Sequence, residues 1–532
     1  MSLEDLSPAE FDQLSRDYLR RHTLSRRRVL FGGAAASAAA LLGLPAFAQA
    51  PKKGGTFRVG RSEEPDTLDP HKTTLSISSM TMQLVHEPLA RRDVNGGVVP
   101  ALAERWEFSN GNKTVTFYLK PGATFHDGTP ADAEAVAYTV ARHMSPATAS
   151  PSAFFLGPIE RAEVINPTTV AYHYKEPFVP IWVGLTLGYT APLSRKAVEA
   201  LGDRFGRQPV GAGPFRFVSW SPDRGIRFER YKDYKVGPLP NVDAVEFLHY
   251  PEDATRLAAL ETGEINAIYS GQSVPLDAVR RLKGRDDITL IQRPAQMMRA
   301  LAFNQKLAPT NNPDVRKALC HAVDPQRVVA FALDNNAKVA TTPLPSTIKG
   351  FSEKAASKGY PFAPDKARAM LAAAGHGSGL QLKMIVNDTP PIRRTAEIIQ
   401  AQLRDVGVMV TVESMPIGQW SVISKKGEHH LAISTYSYPD ADIVFPVFHS
   451  TGALNRTFQD SGALDPLIEK QRVTFDEAER MRILETIQDK IIAEAYWKPI
   501  FEPLNFALVD QKVMGVEMNL EGDILSPSLY LA

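Results

Sequence analysis

A strand that leads straight into a capped helix, far from either end of a 532-residue chain, limits what the rest can fold into. The stretch runs from Met297 to Val323. Met298, Ala300 and Ala302 alternate with Arg299, Leu301 and Phe303, the pattern of a strand buried on both faces. A loop of Pro and Asn follows. Asn312 can cap a helix, Pro313 suits its first position, and Asp314 meets the positive end of its dipole. Val315, Ala318, Leu319, Ala322 and Val323 then fall at i, i+3, i+4, i+7 and i+8, one apolar stripe. Asp324 caps a second helix that has Pro325 inside it. Such a unit, begun partway along a chain too long for one core, predicts two lobes with a cleft between them.

The flanking chain repeats helix, glycine and strand. Ala254 to Glu261 reads as a helix stopped at Thr262-Gly263, followed by a short strand ending at Tyr269-Ser270-Gly271. Pro364 to Ala374 is a helix ended by Gly375, and Leu380 to Val386 a strand. Pro391 to Val406 is a helix ended at Gly407, with Val408, Val410 and Val412 continuing as a strand. Trp420 begins the next helix, Phe475 to Glu494 forms the last long one, and Phe501 to Asp510 gives strands. This order implies an α/β protein whose loops gather at a cleft. Lys113 to Lys120 alternates as a half-buried strand. Thr129 reads as the cap of a helix with Pro130 first and Asp132 completing part of a capping box.

Charge excludes a nucleic-acid role. Beyond the first 48 residues the basic and acidic residues are equal in number, which leaves no electrostatic footprint for a polyanion. Cys320 is the only cysteine, so no intramolecular disulfide forms, and its place on the apolar side of a helix reads as structural. The twelve histidines are scattered, and His429-His430 are adjacent, a poor chelate. No Gly-x-Ser-x-Gly and no His-Glu-x-x-His occurs, so a secreted hydrolase is disfavoured. Neither a metal nor a cofactor is expected.

Several segments together resemble extracellular solute-binding proteins of family 5, the dipeptide, oligopeptide and nickel-type capture subunits of ABC importers. They are Leu301 to Val323, Gly54-Gly55 with Pro65-Asp66-Thr67-Leu68-Asp69-Pro70, and Leu102-Ala103 to Trp106 followed by Phe117 to Pro130. The turn Gly211-Ala212-Gly213-Pro214-Phe215 belongs with them. A strand, not a helix, follows these glycines, so they do not cradle a phosphate. Within the resemblance His126 and Asp127 are structural. It implies a periplasmic-binding-protein fold with an extra subdomain in the first lobe. The expected divisions are 49–297 for the first lobe, with the subdomain at about 101–209, then 298–505 for the second lobe and 506–532 for a return to the first. The hinge would be crossed twice.

The amino terminus reads as an address. Ser25-Arg26-Arg27-Arg28-Val29-Leu30 is a twin-arginine pattern, and Val29 to Leu44 is an apolar run below the roughly 20 residues a membrane span needs. Ala46-Phe47-Ala48 offers small residues for a peptidase, giving a signal of 1–48 cut after Ala48. Export to a bacterial periplasm is expected. The absence of Cys at the cut argues against a lipid anchor and for a Gram-negative source. The mature chain would be a monomer whose partners are a small ligand and an ABC permease with its ATPase.

Residues at strand ends are the candidates for touching a ligand: Tyr436, Tyr438, Asp440 and Asp442 after one strand, and Tyr269, Ser270 and Gln272 after another. Arg299 at the crossover, Glu64 in the first loop and Trp420 complete the set, and for each an ordinary packing or loop role competes. The resemblance implies a Trp-x-x-Asp-Tyr-x-x-Pro loop whose Asp meets a ligand's amino group. Aligned on Tyr438, this chain has Ser434 and Ser437 at the Trp and Asp positions. A hydroxyl cannot neutralise a buried ammonium, so amino-terminal recognition would fall to Asp440 or Asp442. On that reading Asp440→Asn removes ligand-induced stabilisation and leaves the ligand-free melting point nearly unchanged. The expected function is capture of a peptide or peptide-like solute. The alternatives are an opine, oligosaccharide, metal chelate or haem on the same fold, or a sensor or chaperone role.

Overall fold

The computed structural model describes residues 53–221, 224–269, 274–459 and 462–532. The signal pattern with Arg26 and Arg27, and Ser270 and Gln272, lie outside them.

The crossover strand Met297–Phe303 has the two buried faces its alternation demands. Leu301 and Phe303 enter one core with the stripe residues Val315, Ala318 and Leu319. Met298, Ala300 and Ala302 enter another with Leu484 and Ile487 of the helix Glu477–Ala493. The helix Pro313–Ala322 is capped by Asn312, whose side chain accepts from Asp314 N. Asp324 likewise caps Pro325–Leu333. Cys320 is buried in the first of these cores, and burial pushes its thiol up to about 12. Thiolate is the reactive form. A thiol reagent at pH 8 should therefore leave Cys320 unmodified until denaturant is added; rapid labelling of the native protein would contradict this packing.

Strands on both sides of the crossover join one large mixed sheet. In the second lobe Leu380–Asn387 pairs in parallel with Val408–Met415 and with Leu431–Ser437, and Leu431–Ser437 runs antiparallel to the crossover strand. In the first lobe Thr56–Arg61 lies parallel to both Ala244–His249 and Ala267–Tyr269, and Ala244–His249 pairs on its other side with the hairpin of Phe215–Ser221 and Gly225–Arg230. One long strand, Trp497–Asp510, serves both halves. Its first residues pair with the crossover strand, and Leu504 to Asp510 pair with Ile288–Pro294. The chain thus passes between the lobes at two adjacent places, 294–297 and 501–504, and the ladder shifts register between Arg299 and Ala300.

A separate four-stranded antiparallel sheet, Ala103–Ser109, Thr114–Leu119, Thr169–Tyr174 and Ile159–Asn166, packs with the helix Ala133–Met144 around its own core of Phe117, Phe125, Val136 and Tyr172. That helix begins later than its sequence suggests. Asp132 is the cap and accepts from Ala135 N, while the Thr129 hydroxyl donates to Asp127 instead. Pro130 lies ahead of the helix, in an antiparallel bridge with Thr124. The His126–Asp127 pair is structural: His126 Nε2 donates to Gly213 O at 2.9 Å, and Asp127 accepts from the Ser194 hydroxyl at 2.7 Å. The glycine-spaced turn has a steric cause, since a Cβ on Gly211 would stand 2.0 Å from the Val85 carbonyl oxygen. Among the described residues no helix is long and apolar enough to cross a membrane.

Candidate functional site

The cleft follows from where the strands stop. Thr56–Arg61 ends at the loop that carries Glu63, and Leu431–Ser437 ends at Tyr438 and Pro439. The chain crosses between lobes at Ala295, Gln296 and Met297. Between these ends lies a cavity of about 300 Å³. Its first-lobe wall comes from the loop and helix around Thr74 to Met80, from Phe155, Leu187 and Tyr189, and from Leu520 and Glu521, with Asn505 of the shared strand where the two lobes join. Its second-lobe wall is Ser437, Tyr438 and Pro439. Phe155 and Tyr189 stack with centroids 4.7 Å apart and planes at 5°, a flat apolar floor. Elsewhere the lobes touch directly. Val179 N donates to Arg472 O at 2.8 Å, and Phe108 meets Phe475 edge-on at 5.0 Å.

The residues singled out in the sequence are dispersed around this cavity. Tyr438 lines it, and its backbone N–H donates to Gln296 O at 3.3 Å. Burial raises its phenol pKa, with Asp442 and Asp440 adding to the effect. Tyr436, still within the strand, does not line this cavity. It stacks on Trp497 at 5.3 Å, and its hydroxyl donates to Leu454 O at 2.7 Å, so it packs in the second-lobe core. Tyr269 is fully buried in the first-lobe core beneath the cleft, with Asp523 and Arg61 as its electrostatic neighbours. Glu64 lies beside the lining residue Glu63, with its Oε1 buried. Trp420 falls in the middle, not at the start, of the helix Ile417–Ile423, where the Arg456 guanidinium lies 5.8 Å from its ring centroid. Arg299 is on the Leu301 face of the crossover strand. Burial alone brings its guanidinium down to about 10, and its Nη1 has no hydrogen-bond partner among the described residues.

Both aspartates after the strand are already engaged within the second lobe. Asp440 accepts from Arg480 Nη2 at 2.6 Å and from Asp442 N at 2.8 Å. Burial disfavours its charge, but Arg480 outweighs that and holds the carboxyl below the usual range. Asp442 accepts from Gln471 Nε2 at 2.6 Å and pairs with Arg472 at 3.1 Å. Burial pushes it up to about 7, against the pull of Arg472. The expectation that Asp440→Asn leaves the ligand-free protein unaffected is therefore corrected: the change would strip a nearly buried guanidinium of its carboxylate.

The sequence pattern gave no sign of Glu521, Asn505, Gln296, Met297 or the aromatic floor. Asn505 Nδ2 donates to Leu520 O at 3.1 Å, which fixes the carboxy-terminal turn against the shared strand. Among the described residues no group of three or more metal-binding side chains comes together.

Comparison with known proteins agrees with this architecture. The chain is 28% identical over 488 residues to the glutathione-binding protein GsiB of Pectobacterium atrosepticum, covering 89% of this chain and 92% of that one. The substrate-binding protein CtaP of Listeria monocytogenes superposes with a TM-score of 0.82 at 24% identity, over 90% of this chain and all of the other. DppA of Helicobacter pylori, solved with the peptide STSA, superposes at 0.78 and 24% identity over 90% and 98%. Residues 97–455 match the family described as bacterial extracellular solute-binding proteins, family 5 Middle, and the chain belongs to that family of two-lobed solute-binding proteins.

Proposed function

We propose that the chain is the periplasmic capture subunit of an ABC importer. It takes a peptide or peptide-like solute between its lobes and passes it, chemically intact, to an inner-membrane permease and its ATPase. The observation that carries this reading is the cavity of about 300 Å³ walled by both lobes, at the small end of the range for ligand sites. A solute there touches both walls at once. Its binding energy then favours the shut arrangement over the open one, and the permease can read that difference. The likeness to glutathione-binding proteins supports a peptide-like solute. In this reading the first lobe spans 49–297 with the tail 506–532, the second spans 298–505, and Tyr438 is the ligand contact among the sequence candidates. Export follows the twin-arginine pattern at Arg26 and Arg27, with cleavage after Ala48.

A thermal and chemical denaturation screen tests it. The panel holds dipeptides, tripeptides, glutathione, opines, oligosaccharides, haem and metal chelates. A true ligand at 100 times its Kd should add about 2.7 kcal/mol of stability and be recovered unchanged. No stabilisation by any member would defeat the reading, as would conversion of the solute into a product.

A further inference from the structure

We infer that Glu521 is the charged anchor of the cleft, and that the captured solute carries an ammonium group held against its carboxylate. This rests on the solute-capture reading and narrows it.

The charge of the cavity wall points this way. Glu521 and Glu63 are its ionisable acids, and among the described residues no Lys, Arg or His lines it. Glu521 forms no ion pair within 4.0 Å among the described residues, and the nearby Gln83 amide lowers its carboxyl only as the smallest of the effects on it. The nearest guanidinium, Arg92, is committed elsewhere. It donates to Thr186 Oγ1 at 3.1 Å and to Gly96 O at 2.8 Å, and its field is divided between Glu521 and Asp440. Burial accordingly raises the Glu521 carboxyl, with Arg92 lowering it only in part. A half-buried carboxylate without a cation of its own is stabilised by a cation that arrives with the ligand.

The turn that presents Glu521 is rigid. Asn519 Oδ1 accepts from Glu521 N at 3.0 Å and from Asp523 N at 2.9 Å. Gly522 sits at φ +87°, where a Cβ would also strike the Asn505 side chain. The carboxylate is thus set in place before any ligand enters, which lowers the ordering cost of binding. Across the cavity stand the Ser437 hydroxyl and the Gln296 amide. An ammonium has three N–H donors. One can meet Glu521 on the first lobe and others the Ser437 hydroxyl of the second and the Gln296 carbonyl oxygen at the crossing, so that the charged group ties the lobes together. The stacked Phe155 and Tyr189 rings then receive an apolar or aromatic portion of the solute.

The test uses the mature chain and matched probes: dipeptides, a tripeptide and glutathione, each with a free amino group and as its N-acetyl form, alongside a neutral oligosaccharide and a metal chelate. Titration calorimetry should find binders only among the free-amine compounds. Glu521→Gln should weaken them on the order of tenfold or more, as expected for loss of a charge-assisted contact. Its melting temperature should stay near that of the parent, which separates lost affinity from lost folding. Glu63→Gln should change affinity less, because Glu63 is exposed. The assignment of Glu521 is overturned if N-acetylated or uncharged probes bind as well, or if Glu521→Gln binds within twofold of the parent; solute capture survives either result. If no probe binds, both are overturned.

Discussion

Taking the protein from pH 7 to pH 5 is expected to reduce folding stability, because several histidines are buried in their neutral form. Their loss outweighs the roughly 2 kcal/mol that Asp442, with its carboxyl pushed up to about 7, regains in the same window. His86 is fully buried, and its Nε2 donates to Leu68 O at 3.1 Å. His143 donates Nε2 to Tyr189 O at 2.8 Å, bracing the floor of the cleft from behind. His429 is buried in the second lobe. Burial lowers each of the three from 6.5 to about 4. His71, whose ring is tilted 34° against that of His143 with centroids 3.5 Å apart, is also held well below its usual value by burial and then by His143. Folded pKa values below the unfolded ones fix the sign. Between pH 6.5 and about 4 the unfolded chain takes up protons that the folded chain refuses, so stability falls as the pH drops through that window. Each shift of this size costs about 2 kcal/mol at pH 5. Three of them would consume a large share of the 5–15 kcal/mol that holds a typical protein folded. Urea denaturation at the two pH values measures the loss. His143→Gln can keep a donor toward Tyr189 O without titrating, and should shrink the loss by about one histidine's share. A His143→Gln variant that loses as much stability as the parent between pH 7 and pH 5 would refute the neutral burial of His143.

How far the sequence revealed this molecule depends on whether the signal was local. The crossover strand was legible because its two faces enter two different cores, and an uninterrupted apolar alternation does not fit a strand with one face in water. The caps at Asn312 and Asp324 and the stop at Gly407, where φ is +87°, are also local chemistry. The shared strand Trp497–Asp510 was only half legible. Pro499 and Pro503 interrupt its pattern, and they are tolerated because the strand changes partners there. Trp420 and Thr129 were misplaced by half a helix or less, since boundaries depend on which of several competing side chains wins the cap. The cleft was legible as a place but not as a set of residues. Tyr436 lies in the strand and Tyr438 just past its end, so a strand-end argument selected both, yet the hydroxyl of one is tied to Leu454 in the lobe and only the other lines the cavity. Glu521 sits in a tail without periodicity, and only the return of that tail to the shared strand brings it to the site.

Asp440 offers the sharpest contrast between a residue that resembles a ligand contact and one that holds a lobe together. Its carboxylate, Arg480, Gln471, Asp442 and Arg472 form one continuous chain of contacts. The Arg480 side chain is 10% exposed and that of Asp440 22%, so little solvent screens the pair. Removing one partner of a buried ion pair costs about 3–5 kcal/mol, because the other is left charged and desolvated. Asp440→Ala should fall at the lower end of that range, since Gln471 Oε1 still accepts from Arg480 at 3.0 Å and part of the guanidinium reaches water. Arg480→Met alone should cost about as much, by stranding Asp440 beside Asp442. The double variant should be much less harmed than the sum of the two, with a coupling of about 2 kcal/mol between them. Denaturant titration of the four proteins gives that coupling directly. A solute that binds the parent should then stabilise Asp440→Ala by nearly the same increment, because its charged group is met elsewhere in the cleft. Additive single losses would dismiss the buried pair. A variant that stays fully stable yet no longer responds to the solute would return Asp440 to the binding site and take the anchoring role away from Glu521.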